Sequence, residues 1–214
     1  MINALRWLFH VIFVRPLVRG VLGISLRHGE HLPRSGPAIV VANHNSHLDA
    51  LVLMTLFPLR YLARLRPVAA KDYFFGKRWL TWLVVNIFGV IPMQRCGILA
   101  RKDDPLAPCS AALRRGDILI LYPEGTRGEP ERLQNFKSGI AHLAKRHPDV
   151  PVVPVFLHGP GKSLPKGTVV PVPFICHVLV GHAMAWSGNR KTFMDRLWAT
   201  MTDLAREGRF PAWE

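Results

Sequence analysis

The feature that most limits this fold is a set of short, wholly apolar runs that each end in a polar cluster. Ala38 to Val41, Ile118 to Leu121 and Val152 to Leu157 are too short for buried helices and are bounded by Gly, Pro or charged residues. Runs of this kind read as strands covered on both faces. Val68 to Ala70, Val90 to Ile91 and Phe174 to Val180 are further strand candidates. Between them lie helical segments: Asp49 to Phe57, Trp79 to Phe88, Asp104 to Arg115, Phe136 to His147 and Arg190 to Arg206. Met194, Leu197, Trp198, Met201 and Leu204 form the apolar stripe of the last one. Strands alternating with helices predict an α/β fold, a single domain with a mainly parallel central sheet flanked by helices. The 214 residues suffice for one such domain with a substantial core, and no repeat or low-complexity tract divides them.

The N-terminal stretch is different. Ile2 to Val14 and Leu17 to Leu26 are apolar but carry Arg6, His10 and Arg19, and Arg15-Pro16 separates them. Proline lacks an amide hydrogen and disfavours helix in the residue before it, so two short helices are expected. Neither is long enough to span a bilayer. They read as interfacial helices, apolar side in lipid and arginines toward anionic headgroups, with packing onto the domain core as the alternative. This divides the chain into interface helices at 1–28 and a main domain at 29–214. Lys and Arg number 28 against 14 Asp and Glu, a net charge of +14. That surplus suits an acidic partner: nucleic acid, an anionic membrane, or an acidic carrier or phosphorylated substrate. Cys96, Cys109 and Cys176 have no metal-ligand spacing and read as free thiols.

Chemistry-bearing residues collect where strands end. After Ala38 to Val41 comes Asn43-His44-Asn45-Ser46-His47-Leu48-Asp49. Asp49 can accept a hydrogen bond from one imidazole nitrogen of His44, leaving the other to take a proton from a hydroxyl. A satisfied polar turn with Asp49 capping the next helix fits the same residues. Arg95 follows the strand near Ile91 and could grip a phosphate. Ile118 to Leu121 delivers Tyr122-Pro123-Glu124-Gly125-Thr126-Arg127, a turn able to surround a phosphate with amides, the Thr126 hydroxyl and the Arg127 guanidinium. Glu124 would instead orient Arg127 or accept from a substrate hydroxyl. Lys137 stands at a helix start, where anions are favoured. Pro154 inside a strand suggests an edge, a bulge or a turn toward a ligand. His47 is read as a bystander. Gly161-Lys162-Ser163 lacks the first glycine of a nucleotide-binding loop, and Ser138 lacks the flanking glycines of a hydrolase elbow.

Taken in order, four segments resemble the glycerolipid acyltransferase family, whose type member acylates 1-acylglycerol-3-phosphate. They are Asn43 to Asp49, Gly89 to Arg95, Tyr122 to Arg127 with Phe136 to Gly139, and Val153 to Gly159. The resemblance runs from about Pro37 to Gly181. It implies that His44 is the general base, held by Asp49. It further implies that the acceptor hydroxyl attacks a thioester directly, without a covalent acyl-enzyme. Arg95, Glu124, Gly125, Thr126, Arg127 and Lys137 would hold the glycerol phosphate, Pro154 would shape the pocket, and the segments around Phe57 and Trp79 to Phe88 would line an acyl-chain tunnel. No cofactor or metal is implied; acyl-CoA or an acyl carrier protein would be co-substrate. The implied partners are a lysophospholipid and an anionic membrane, reached peripherally from the cytoplasmic side. Two departures stand out: His44 arrives earlier than in relatives with a longer anchor, and Ala183 replaces a common proline. Rival readings are another lysophospholipid, a lyso-aminolipid or glycerol 3-phosphate as acceptor, a thioester hydrolase, or a basic nucleic-acid-binding domain.

Overall fold

The computed structural model describes residues 1–70, 78–93, 104–127, 132–164, 170 and 172–210. Seven strands form one sheet: β1 (Ile24–Arg27), β2 (Ala38–Ala42), β3 (Leu65–Ala70), β4 (Ile91–Met93), β5 (Ile118–Leu121), β6 (Val152–His158) and β7 (Cys176–Val180). Their order is β1-β7-β6-β2-β5-β3-β4. β6 and β7 pair antiparallel and all other neighbours pair parallel, as the alternation of strands and helices leads one to expect. All five residues of β2 and all seven of β6 are buried. These are the continuous apolar runs that a strand covered on both faces requires.

The register brings three strand ends together. Val41 of β2 lies opposite Leu121 of β5 and Pro154 of β6, so whatever follows β2 emerges beside the turn after β5. Each face of the sheet has its own core. On one, α2 (Leu48–Leu56) and the N-terminal helix cover Ala38, Val40, Val153 and Val155. On the other, α4 (Ala107–Arg114), α5 (Gly139–Arg146) and α7 (Arg190–Gly208) cover Ile39, Val41, Val152 and Phe156. The short α6 (Pro160–Ser163) follows β6. Leu197, Met201 and Leu204 of the expected α7 stripe are buried there, while Trp198 lies at the margin with its ring against Phe136.

The N-terminus departs from its expected form in three ways. First, α1 (Ile2–Phe9) does not stop at Pro16. The chain stays helical to Leu22 through two wide turns, His10–Val14 and Leu17–Leu22. Arg15 N–H reaches back five residues to the His10 carbonyl, and that widened spacing makes room for a proline ring that an ordinary helical turn would exclude. Second, the arginines are tied to carbonyls of the domain, Arg6 buried, Arg15 half-buried and Arg19 exposed. Arg6 is 2% exposed and donates to the carbonyls of Leu65 (2.7 Å) and Phe88 (3.2 Å). Burial, with Arg66 nearby, pushes its pKa down to about 10, so it stays charged at neutral pH. Arg15 donates to the Phe57 carbonyl and Arg19 to the Thr55 carbonyl, both at the C-terminal end of α2, where a cation also meets the negative end of the helix dipole. These arginines fasten the helix to the domain rather than reaching for headgroups. Val14, Val18 and Leu22 are buried beside them, each worth about 1.5–3 kcal/mol of apolar burial. Third, Ile24–Arg27, expected as helix, is β1 and pairs with β7.

Two further expectations meet different outcomes. α3 (Arg78–Asn86) turns two of its supposed tunnel residues outward: Trp79 and Trp82 are 64% and 50% exposed, so they face solvent instead of lining a tunnel. Pro154 is not at an edge, since β6 lies between β2 and β7, but it does stand beside a bulge. Its carbonyl accepts Gly181 N–H at 2.8 Å beyond the last β6–β7 pair, Val155 with Val180, and pairing resumes at Val152 with Met184, one residue out of register. The missing amide hydrogen falls at this interruption, where the sheet tolerates a proline. Among the described residues no helix is long and apolar enough to cross a membrane.

Candidate active site

The loop from β2 to α2 is built to hold one imidazole. Asn43 fastens its start: the side-chain amide donates to the Leu157 carbonyl (2.8 Å) and its oxygen accepts Leu157 N–H (2.7 Å). Asn45 donates to the same carbonyl at 2.9 Å. Asp49, in the first turn of α2 and wholly buried, closes the loop. A single oxygen, Oδ2, accepts from Asn45 N–H (2.7 Å), Ser46 N–H (2.9 Å) and His44 Nδ1 (2.9 Å). Burial pushes the Asp49 pKa up, and these hydrogen bonds pull against it. A carboxylate that accepts two backbone amides offers His44 an acceptor only. Nδ1 therefore carries the ring proton and Nε2 keeps its lone pair. The His44 side chain is 22% exposed, enough for a substrate hydroxyl to approach.

The turn after β5 supplies the second wall. The Tyr122 ring stacks on His44 with centroids 4.2 Å apart and planes at 21°. Its hydroxyl is buried without a partner among the described residues, and burial, with Asp49 nearby, holds it well above the usual tyrosine range. Glu124, 3% exposed, accepts the backbone N–H of His44 and of Gln134, both at 3.4 Å. Burial, reinforced by the Asp49 charge, pushes its pKa up to about 7. Glu124 thus braces the main chain of His44 itself. Gly125 has φ +73°, and a Cβ there would stand 2.8 Å from Lys137 Nζ. Lys137 N–H in turn donates to the Pro123 carbonyl at 2.8 Å. The glycine is what lets the lysine lie across this turn.

Of the residues read from sequence, the structure brings His44, Asp49, Glu124, Gly125 and Lys137 together, with exposed Thr126 next along the turn. Arg127 is partly buried, and its charge reaches His47. Partial burial, then Arg127 and His44, push the His47 pKa down to about 4, so this histidine is neutral at pH 7. Pro154 lies in the sheet, opposite Val41 at the base of the His44 loop. Arg95 falls outside the described residues. Sequence reasoning gave no part to Tyr122, Asn43 or Asn45. Asn43 and Asn45 flank His44 in the chain, but the strand register is needed to bring their partner Leu157 to them and Tyr122 to the His44 ring. Among the described residues no group of three or more His, Cys, Asp or Glu side chains could hold a metal ion.

Residues 24–158, which contain this whole constellation, match the family model described as Acyltransferase. The chain belongs to the acyltransferase family. Over 146 residues, 68% of this chain, it is 33% identical to the chloroplastic 1-acyl-sn-glycerol-3-phosphate acyltransferase LPAT1 of Arabidopsis thaliana. Over 137 residues, 63% of this chain, it is 32% identical to 1-acyl-sn-glycerol-3-phosphate acyltransferase alpha of Homo sapiens. These matches span 38% and 45% of the two relatives' own lengths. The crystal structure of PlsC, the 1-acyl-sn-glycerophosphate acyltransferase from Thermotoga maritima, shares the fold: TM-score 0.74 at 19% identity, covering 99% of this chain and 81% of that one. The family match takes in β1 through β6, the part of the sheet that carries the His44 loop and the Glu124 turn.

Proposed function

We propose that this acyltransferase-family protein moves a fatty acyl chain from a thioester, acyl-CoA or acyl carrier protein, to the free hydroxyl of 1-acylglycerol-3-phosphate, giving phosphatidic acid. His44 Nε2 takes the proton of the acceptor hydroxyl as its oxygen attacks the thioester carbonyl. The tetrahedral intermediate collapses, the C–S bond breaks, and the imidazolium returns the proton to the leaving thiolate. Atoms and charges balance without a covalent acyl-enzyme. Asp49 fixes the tautomer and stabilises the transient imidazolium. Lys137, Thr126 and Arg127, with Arg95 from beyond β4, hold the acceptor phosphate, and Gly125 keeps the turn open for it. Glu124 serves by bracing the His44 main chain. The protein works at an anionic membrane, where its acceptor resides, with the exposed face of the N-terminal helix toward lipid.

The observation that carries this reading is the 2.9 Å contact from His44 Nδ1 to Oδ2 of a wholly buried Asp49, an oxygen that two loop amides also hold. Such a base typically contributes a factor of about 10²–10⁴. His44→Ala is expected to lower kcat by that factor while circular dichroism and melting remain those of the wild type. Retained turnover in the folded variant sinks the mechanism. Competition among 1-acylglycerol-3-phosphate, glycerol 3-phosphate and other lysophospholipids identifies the acceptor, and parallel assays with the two thioesters identify the donor.

A further inference from the structure

α3 lies far from the N-terminal helix in sequence, yet the two are joined in space. Phe88, just beyond α3, sets its ring edge-on to Phe9 with centroids 5.6 Å apart. The buried Arg6 guanidinium donates to the Phe88 carbonyl and fills the space a Cβ would need at Gly89. A charge-assisted bond of this sort, buried and shared between two carbonyls, sets the helices in one fixed relation. Each then turns an apolar stripe outward. On α3 it is Trp79, Trp82 and Val85, spaced three apart on one helical face and 64%, 50% and 38% exposed. On the N-terminal helix it includes Leu5, Leu8 and Ile12, about half exposed. Lone surface hydrophobics are ordinary, but two such stripes on clipped helices are an interaction surface.

We infer that α3 is a second lipid anchor, so that Trp79 and Trp82 join the N-terminal helix in docking this protein on a phospholipid surface. Charge and ring chemistry select that occupant. Residues 1–28 and 78–93 contain no Asp or Glu, so nothing in either segment repels anionic headgroups. The exposed Arg78 adjoins Trp79. Indoles bury an apolar ring and keep an N–H for the wet boundary, which suits them to the headgroup level. This rests on the membrane part of the function proposed above.

The test is partition of wild type and the W79S/W82S double variant onto phosphatidylcholine vesicles with and without phosphatidylglycerol, alongside transfer to a short-chain, water-soluble lysophospholipid. Expected are an unchanged melting curve, vesicle partition at least about tenfold weaker, and soluble-acceptor turnover within twofold of wild type. Unchanged partition overturns the inference. So does a parallel loss of soluble-acceptor turnover, which would return α3 to the active site. A wild-type dimer that the substitutions split without altering partition assigns the stripe to a second copy and overturns it too. If neither protein transfers acyl groups but partition still falls tenfold, the catalytic reading fails and the anchor stands.

Discussion

The loop after β2 and the turn after β5 each bury a carboxylate within reach of the same imidazole, and they hold it differently. Asp49 Oδ2 gathers three donors at 2.7–2.9 Å, one of them the His44 ring. Glu124 spreads two backbone amides over two oxygens at 3.4 Å each. The first is a tight clamp that dictates which nitrogen of His44 is protonated. The second is a loose brace. Burial raises both carboxyls, Glu124 to about 7, and the hydrogen bonds that oppose the rise are shorter and more numerous at Asp49. Donor number and length separate a carboxylate that fixes a ring tautomer from one that steadies main chain.

The comparison can be broken, and the largest effect tests the clamp. In Asp49→Asn the amide can donate to Nδ1 and force the proton onto Nε2, which removes the base. A fall in kcat of about 10²–10⁴ with little change in KM is expected in steady-state kinetics. A mild effect would make the clamp structural only. Next in size, Arg127→Ala should raise the acceptor KM about tenfold or more through loss of one charge-assisted bond. The same variant should raise the His47 pKa from about 4, because a nearby cation is gone; an NMR titration of the ring proton reads this. Smaller again is Glu124→Gln. A carboxyl raised from 4.5 to about 7 on folding binds more protons folded than unfolded in that window. Its contribution to stability is therefore fully present below pH 4.5 and lost as pH rises through 7. The stability of wild type relative to Glu124→Gln, from urea unfolding, should thus fall between pH 4.5 and pH 7.5. The smallest effect belongs to Tyr122→Phe, which keeps the stacked ring and deletes a buried hydroxyl that has no partner among the described residues. A change within about 0.5 kcal/mol is expected, against the usual 1–3 for stranding a polar group.

Much of this was legible in the chain because strands buried on both faces announce themselves. Ala38 to Val41, Ile118 to Leu121 and Val152 to Leu157 all became strands, and the clusters following the first two face each other because these strands are neighbours. The His44–Asp49 contact was legible too, since the partners are five residues apart. What escaped depends on contacts distant in sequence. Arg6 reads as a headgroup ligand until the carbonyls of Leu65 and Phe88 come into view, 59 and 82 residues away. β1 has two exposed residues among its four and so lacks a buried pattern; its partner β7 lies some 150 positions further on. Pro16 reads as a helix stop because local rules count four-residue turns, and the chain uses a five-residue one. The brace from Glu124 to His44 escapes a local reading because the amide it accepts belongs to a loop 80 positions earlier.

One consequence follows from Asn43. Its side chain both gives to and takes from the main chain of Leu157, as an extra rung would if β2 were one residue longer. The imidazole next to it is consequently moored twice, to the sheet through Asn43 and to α2 through Asp49. Its position is therefore inherited from the most deeply buried strands as well as from the layer that covers them.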